Sequence, residues 1–142
     1  MMSPQVPPAS AAPADLPTDL PTGSLAVVER YFDALTGHDH EVLGRLIATE
    51  GFCYESPIAT IDDTPAFLEY IMMTGGILRG IKRRRVFVDG ADVCHWLVLD
   101  TQLSERVSTR AVQWTTVHEG RITRIELLFD PHPWRMLFDA ED

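Results

Sequence analysis

The side chains with the most chemical potential are spread along the chain rather than gathered in one motif. Asp130 closes an apolar run, Leu127-Leu128-Phe129. A carboxylate held against apolar walls has its charged form desolvated, which raises its pKa toward values useful in a general base. Because Pro131 follows, the same residue also fits an Asp-Pro turn in which the carboxylate accepts from backbone N–H groups. Glu126 shares strand parity with Leu128 and Asp130. It is either a second pocket carboxylate, giving an acid and base pair with pKa values pushed apart, or part of an exposed ion-pair face with Arg124. Tyr31 and Tyr54 sit among apolar residues, where each hydroxyl needs a partner: a ligand, a water or a backbone carbonyl. Ser56, two residues beyond Tyr54, adds a hydroxyl able to hold a water. His95 lies between Cys94 and Trp96. A buried neutral imidazole there serves as acid or base, or is a core histidine satisfied by one backbone hydrogen bond. Gln113 is a polar residue inside an apolar run, suited to orienting a substrate oxygen, while Trp114 points to the opposite face, where a dimer contact fits.

His38 and His40 flank Asp39, but no further ligands follow at metal-site spacing, so a solvated loop and no metal are expected. Cys53 and Cys94 belong to no CxxC or Cys/His cluster and read as free thiols of a reducing cytoplasm. Lys82-Arg83-Arg84-Arg85 is a basic run suited to salt bridges with the excess carboxylates, to an anionic carrier, or to guarding a sheet edge.

These residues must be positioned by a chain of 142 residues, the size of one domain. Its apolar share of 45% supports a real core, and its net charge of −9 repels nucleic acid and anionic lipid. No run approaches the ~20 apolar residues of a membrane helix, and no secretory leader is visible. Residues 1–22 hold six of the ten prolines and too little apolar surface to offset ordering, so they read as a flexible tail before a single domain over 23–142.

Ser24 reads as an N-cap. Val28, Tyr31, Phe32 and Leu35 then fall on one helical face that ends at Gly37. Asp39 caps a short second helix with Val42, Leu43, Leu46 and Ile47 on its apolar side. Residues 52–56 read as extended. Asp63 or Thr64 with Pro65 opens a third helix carrying Phe67, Leu68, Ile71 and Met72 to Gly75-Gly76. The period then changes, and Arg84–Val88, Val93–Gln102, Val107–Val117 and Arg121–Phe129 read as strands broken by Asp89-Gly90, Ser104-Glu105 and Glu119-Gly120. Three helices before an antiparallel meander predict an α+β cone with a pocket between helices and curved sheet. Trp134, Met136, Leu137 and Phe138 then form a closing turn, as a lid or a partner contact.

This order of landmarks resembles the nuclear transport factor 2-like, or SnoaL-like, superfamily (the cystatin-like fold) over roughly residues 24–138. The marks are Arg30 to Leu35 with Gly37-His38-Asp39, then Tyr54-Glu55-Ser56-Pro57, then Gly120-Arg121-Ile122 leading to Phe129-Asp130. The resemblance to limonene epoxide hydrolases implies Asp130 as the base on a water that Tyr54 and Ser56 help hold, with Ser56 standing where that family has asparagine. The family's Arg-x-Asp acid is absent from Val93–Asp100, leaving His95 or Asp100 to replace it. The resemblance to ketosteroid isomerases implies an enolate-stabilising role for Tyr31, but their base aspartate falls at Ser56 and their second acid near Val112 or Gln113. SnoaL-like polyketide cyclases share the Asp130 position, with apolar Ile125 where they carry a histidine-type residue.

The expectation is a cofactor-free acid/base enzyme of secondary metabolism. It would hydrolyse or cyclise an apolar oxygenated small molecule, with Asp130, Tyr54 and His95 catalytic and Tyr31, Ser56, Gln113 and Glu126 binding substrate. A homodimer is expected. The alternatives are a non-catalytic binding or dimerisation protein of the same fold, or an isomerase.

Overall fold

The computed structural model describes residues 23–103 and 105–135. The proline-rich tail, Ser104 and the residues from Met136 onward lie outside them. Three helices come first: α1 (Ser24–Thr36), α2 (His40–Leu46) and α3 (Thr64–Thr74). The strands are β1 (Cys53–Glu55), β2 (Thr60–Ile61), β3 (Leu78–Asp89), β4 (Asp92–Gln102), β5 (Arg106–His118) and β6 (Arg121–Phe129). They form one curved sheet in the order β2-β1-β6-β5-β4-β3, antiparallel except where β1 runs parallel to β6.

Local chemistry accounts for most of the boundaries. The Asp39 carboxylate accepts from the Val42 N–H at 3.2 Å, and the Asp63 carboxylate accepts from the Ala66 N–H at 2.9 Å, each satisfying a donor left free at a helix start. Pro65 occupies the first turn of α3. For α1 the cap is Gly23, not Ser24: the Ser24 hydroxyl instead donates to the Gly90 carbonyl at 2.8 Å and ties the helix to the β3–β4 turn. Glu119 (φ 52°) and Gly120 (φ 78°) both take positive φ, as a two-residue hairpin turn requires to match strand twist.

The sheet's inner face and the helices make the core. Val27, Val28, Tyr31, Phe32 and Ala34 of α1 pack with Phe67 and Ile71 of α3 onto Val93, Leu97, Ala111, Ile122 and Ile125. Burying each large aliphatic or aromatic side chain contributes about 1.5–3 kcal/mol.

Two elements differ from the expectation. β3 starts six residues earlier than Arg84, taking in Leu78 to Arg83, and it is an edge strand whose exposed positions carry Arg79, Lys82, Arg84, Arg85 and Asp89 beside the apolar Val86, Phe87 and Val88. β2 is a two-residue strand held against β1 by the Ser56–Ala59 turn, where the Ser56 N–H donates to the Ala59 carbonyl at 2.8 Å.

Candidate functional site

Between the helices and the inner face of the sheet lies a cavity of about 120 Å³. Its walls are apolar: Phe32 and Leu35 from α1, Phe67 and Ile71 from α3, and Leu97, Leu99, Leu127 and Phe129 from the sheet, among others. Six uncharged polar side chains interrupt them: Tyr31, Tyr54, Tyr70, Thr74, Gln113 and Trp134. Among the described residues, no carboxylate, imidazole, thiol or cation lines the cavity.

Helical spacing places Tyr31 on the buried stripe of α1, and β-strand alternation turns Tyr54 inward between outward Cys53 and Glu55. Tyr70 comes from α3, where Phe67, Tyr70, Ile71 and Thr74 share one face. The Tyr54 ring lies 4.9 Å from Phe67 and 5.7 Å from Tyr70, centroid to centroid. Burial raises the Tyr31 phenol well above its ordinary pKa, and the neighbouring Tyr54 and Tyr70 add to the effect. Burial also raises Tyr54, with Tyr70 reinforcing and the Ser56 hydroxyl opposing, and it raises Tyr70. All three are therefore neutral phenols near pH 7, able to donate a hydrogen bond. Gln113 donates one amide N–H to the Thr115 hydroxyl at 2.9 Å, which fixes its amide and leaves a second donor and the carbonyl.

Of the residues singled out in the sequence, Tyr31, Tyr54 and Gln113 come together here. The others do not. Asp130 is exposed and off the cavity wall, and its carboxylate accepts from the His132 N–H at 3.1 Å, the turn-forming arrangement. The expectation of a sequestered carboxylate is corrected by parity: Ile125, Leu127 and Phe129 turn inward, so Glu126, Leu128 and Asp130 do not. Glu126 lies on the outer face, paired with Arg124 at 3.2 Å. The Ser56 hydroxyl serves its own turn, accepting from the Ile58 and Ala59 N–H groups at 3.3 and 3.2 Å. His38 and His40 are exposed, and among the described residues no group of three or more His, Cys, Asp or Glu is placed to hold a metal.

His95 occupies an intermediate place. It is fully buried on the inner face, directly across from Gln113 in the sheet, but Phe32 packs edge-on against its ring at 4.9 Å and His95 does not line the cavity. Its Nε2 lies 2.8 Å from a Glu29 carboxylate oxygen. An ionised carboxylate only accepts, so Nε2 is the ring nitrogen that donates to it. The other, Nδ1, is buried without a partner among the described residues. Glu29 also pairs with Arg83 Nε at 2.9 Å, and Arg83 reaches Asp33 at 3.0 Å while stacking over Phe32. Part of the basic run thus docks edge strand β3 to α1.

Trp134, expected in a closing turn as a lid or a partner contact, lines the cavity. Sequence reasoning missed Tyr70 and Glu29. The first was legible as a polar member of the stripe at 67, 70, 71 and 74. The last was legible from Glu29 and Asp33 at i, i+4 beside the apolar face of α1.

No protein-family model matches the chain, and no curated protein does. Solved structures do. A Kribbella flavida protein is 28% identical, with TM-score 0.72 over 83% of this chain and 95% of its own. A Cytophaga hutchinsonii NTF2-like protein of unknown function is 16% identical, with TM-score 0.70 over 81% and 96%. An LEH-like epoxide hydrolase of M. tuberculosis is 22% identical, with TM-score 0.68 over 82% and 90%. Others carry polyketide cyclase and ketosteroid isomerase names. The chain thus has the NTF2-like, SnoaL-like α+β fold, an architecture that hosts several activities and specifies none of them.

Proposed function

We propose that this NTF2-like chain binds a small, neutral, largely apolar molecule of about one ring, carrying one or two oxygen acceptors. The observation that carries this reading is the composition of the cavity wall: apolar surface broken only by uncharged groups, with the Tyr31, Tyr54 and Tyr70 hydroxyls as donors. A cavity of about 120 Å³ is near the ~150 Å³ that admits benzene in an apolar protein interior. An ionised ligand would enter with no countercharge on the wall, at a desolvation cost of several kcal/mol. A ketone, lactone, epoxide or alcohol keeps its apolar body against Leu97, Leu127 and Phe129 and offers its oxygen to the phenols.

The test is calorimetric or NMR titration with a matched series on one carbon skeleton: the hydrocarbon, the ketone and the carboxylate. The ketone should bind tightest and the carboxylate weakest. Equal or tighter binding of the carboxylate would refute the reading.

A second reading is catalytic, in line with the hydrolase and isomerase names among similar structures. The Glu29–His95 pair favours it, since it presents a buried Nδ1 without a partner among the described residues, one strand from Gln113. In that reading His95, not Asp130, takes the proton, once Phe32 swings aside, and Tyr31 or Tyr54 donates to the oxygen gaining charge. Turnover of an epoxide or enolisable ketone that His95→Asn abolishes and Asp130→Asn leaves intact would establish it. No turnover of either substrate leaves binding as the function.

A further inference from the structure

Trp134 brings to the cavity wall a donor that the chain itself does not use. The residue is 8% exposed, and its indole Nε1 is buried with no hydrogen-bond partner among the described residues. Buried polar groups in native proteins are nearly always paired, so an unpaired one calls for an explanation. A phenol can swing its O–H toward whatever acceptor is near, or accept instead. An indole N–H only donates, in the plane of its ring. A lone water is a poor explanation, since it needs two or more polar partners and this ring packs against Phe129 at 5.8 Å.

Hydrogen bonds on either side fix where the indole sits. After β6 the Asp130 carboxylate accepts from the His132 N–H at 3.1 Å, and a helical turn over 132–135 begins. Within it the Arg135 N–H donates to the Pro131 carbonyl at 2.9 Å, and the Arg135 guanidinium donates to the Pro57 carbonyl at 3.3 Å. Register then relates Trp134 to the other donors. Tyr54 lies beside Ile125 in the sheet, Gln113 lies across from Leu127, and Trp134 packs against Phe129. Ile125, Leu127 and Phe129 are alternate, inward residues of β6. The Tyr54 row and the Phe129 row are therefore roughly 13 Å apart along the strand, with Gln113 between them.

We infer that Trp134 is a specificity determinant of this cavity: its indole N–H donates to a second oxygen of the ligand, across the ring from the oxygen that the phenols hold. The inference rests on the neutral-ligand reading above and narrows it to one class. That class is a single ring with uncharged oxygen acceptors on opposite sides, such as a 1,4-diketone, a quinone or a keto-ether. A six-membered ring with a hydrogen bond of about 2.9 Å at each end bridges donors on the order of 10 Å apart, which fits between these rows. The soft χ2 torsion of tryptophan lets the indole turn its N–H from the closed position into the cavity as the ligand seats. A monoketone leaves that N–H unpaired. A hydroxyl at the same place accepts the bond but leaves its own proton facing apolar wall.

Titration calorimetry with cyclohexane-1,4-dione and cyclohexanone, on the wild-type chain and on Trp134→Phe, tests the inference. Phenylalanine keeps an aromatic ring against Phe129 and lacks the N–H. The wild-type chain should bind the dione about fivefold tighter than the monoketone, and in Trp134→Phe that preference should vanish. Proton–nitrogen correlation spectra of the wild-type chain give a second reading that does not depend on how the variant folds. The chain has three tryptophans, and Trp96 and Trp114 are exposed on the outer face of the sheet. The dione should shift the Trp134 indole signal downfield, and cyclohexanone should shift it far less. Equal binding of the two ketones, a Trp134 signal unmoved by bound dione, or a Trp134→Phe variant weakened alike for both would overturn the inference, the last because it marks packing alone. Each of these leaves the neutral-ligand reading standing. Binding of neither ketone would overturn both.

Discussion

At the scale of single residues, the rest of the cavity's selectivity reduces to three phenols and an amide. A hydrogen bond from a neutral donor to a ligand oxygen contributes about 1 kcal/mol net. Tyr54→Phe or Tyr31→Phe should therefore weaken a ketone ligand roughly fivefold and leave the matched hydrocarbon unchanged, a difference calorimetry resolves. Gln113→Leu should act more broadly: it removes the amide and leaves the buried Thr115 hydroxyl without that partner, costing roughly 1–3 kcal/mol of stability, read as a lowered urea midpoint. Asp130→Asn offers the contrast. Its carboxylate accepts only a turn N–H at the surface, and asparagine supports the same turn, so ligand affinity should not move.

At the scale of elements, legibility followed periodicity. The α1 stripe at 28, 31, 32 and 35 buries one face, and Gln113 and Trp114 point to opposite faces of β5, so Tyr31 and Gln113 could be offered as inward from sequence. The apolar run of β4 left the choice between His95 and Asp100 open. β6 resists that argument, because Leu127, Leu128 and Phe129 are consecutive apolar residues serving both faces of the sheet. A run without alternation carries no parity, and a one-residue slip exchanges every side chain between core and solvent. Asp130 and Glu126 were misplaced for that reason. The first half of β3 was hidden because Arg79, Lys82 and Arg83 give an edge strand a composition close to that of a loop. His95 was visible as a buried histidine, but its partner Glu29 lies 66 residues away and only the folded chain brings them together. The turns tie most directly to sequence. Gly120 at φ 78° occupies backbone space that L side chains enter at a cost. Gly120→Ala should lower stability by about 1 kcal/mol, roughly 4 °C in Tm, although a Cβ there meets no neighbour.

At the scale of the whole molecule, the cavity also sets how the fold responds to alkali. The chain has three tyrosines, and all three line the cavity; it has a single lysine, Lys82. Burial raises each phenol's pKa above its ordinary value. Folded chains therefore keep phenolic protons that unfolded chains release near pH 10. A raised pKa in the folded state stabilises it fully below the unfolded value, and that contribution is lost as pH climbs beyond about 10 toward the folded values. For Tyr31 and Tyr54, both almost wholly buried, the loss should approach about 1 kcal/mol per pH unit per tyrosine. Urea midpoints between pH 9 and 11.5 should fall along this slope, and the Tyr31→Phe, Tyr54→Phe double variant should flatten it. Tyrosinate absorbance gives the same comparison without denaturant: native chains should show little ionisation at pH 10, and chains unfolded in urea should show all three tyrosines titrating together. Native tyrosines that titrated normally at pH 10 would mean that water reaches all three hydroxyls, and a wetted cavity would lose the basis for selecting a neutral, apolar ligand.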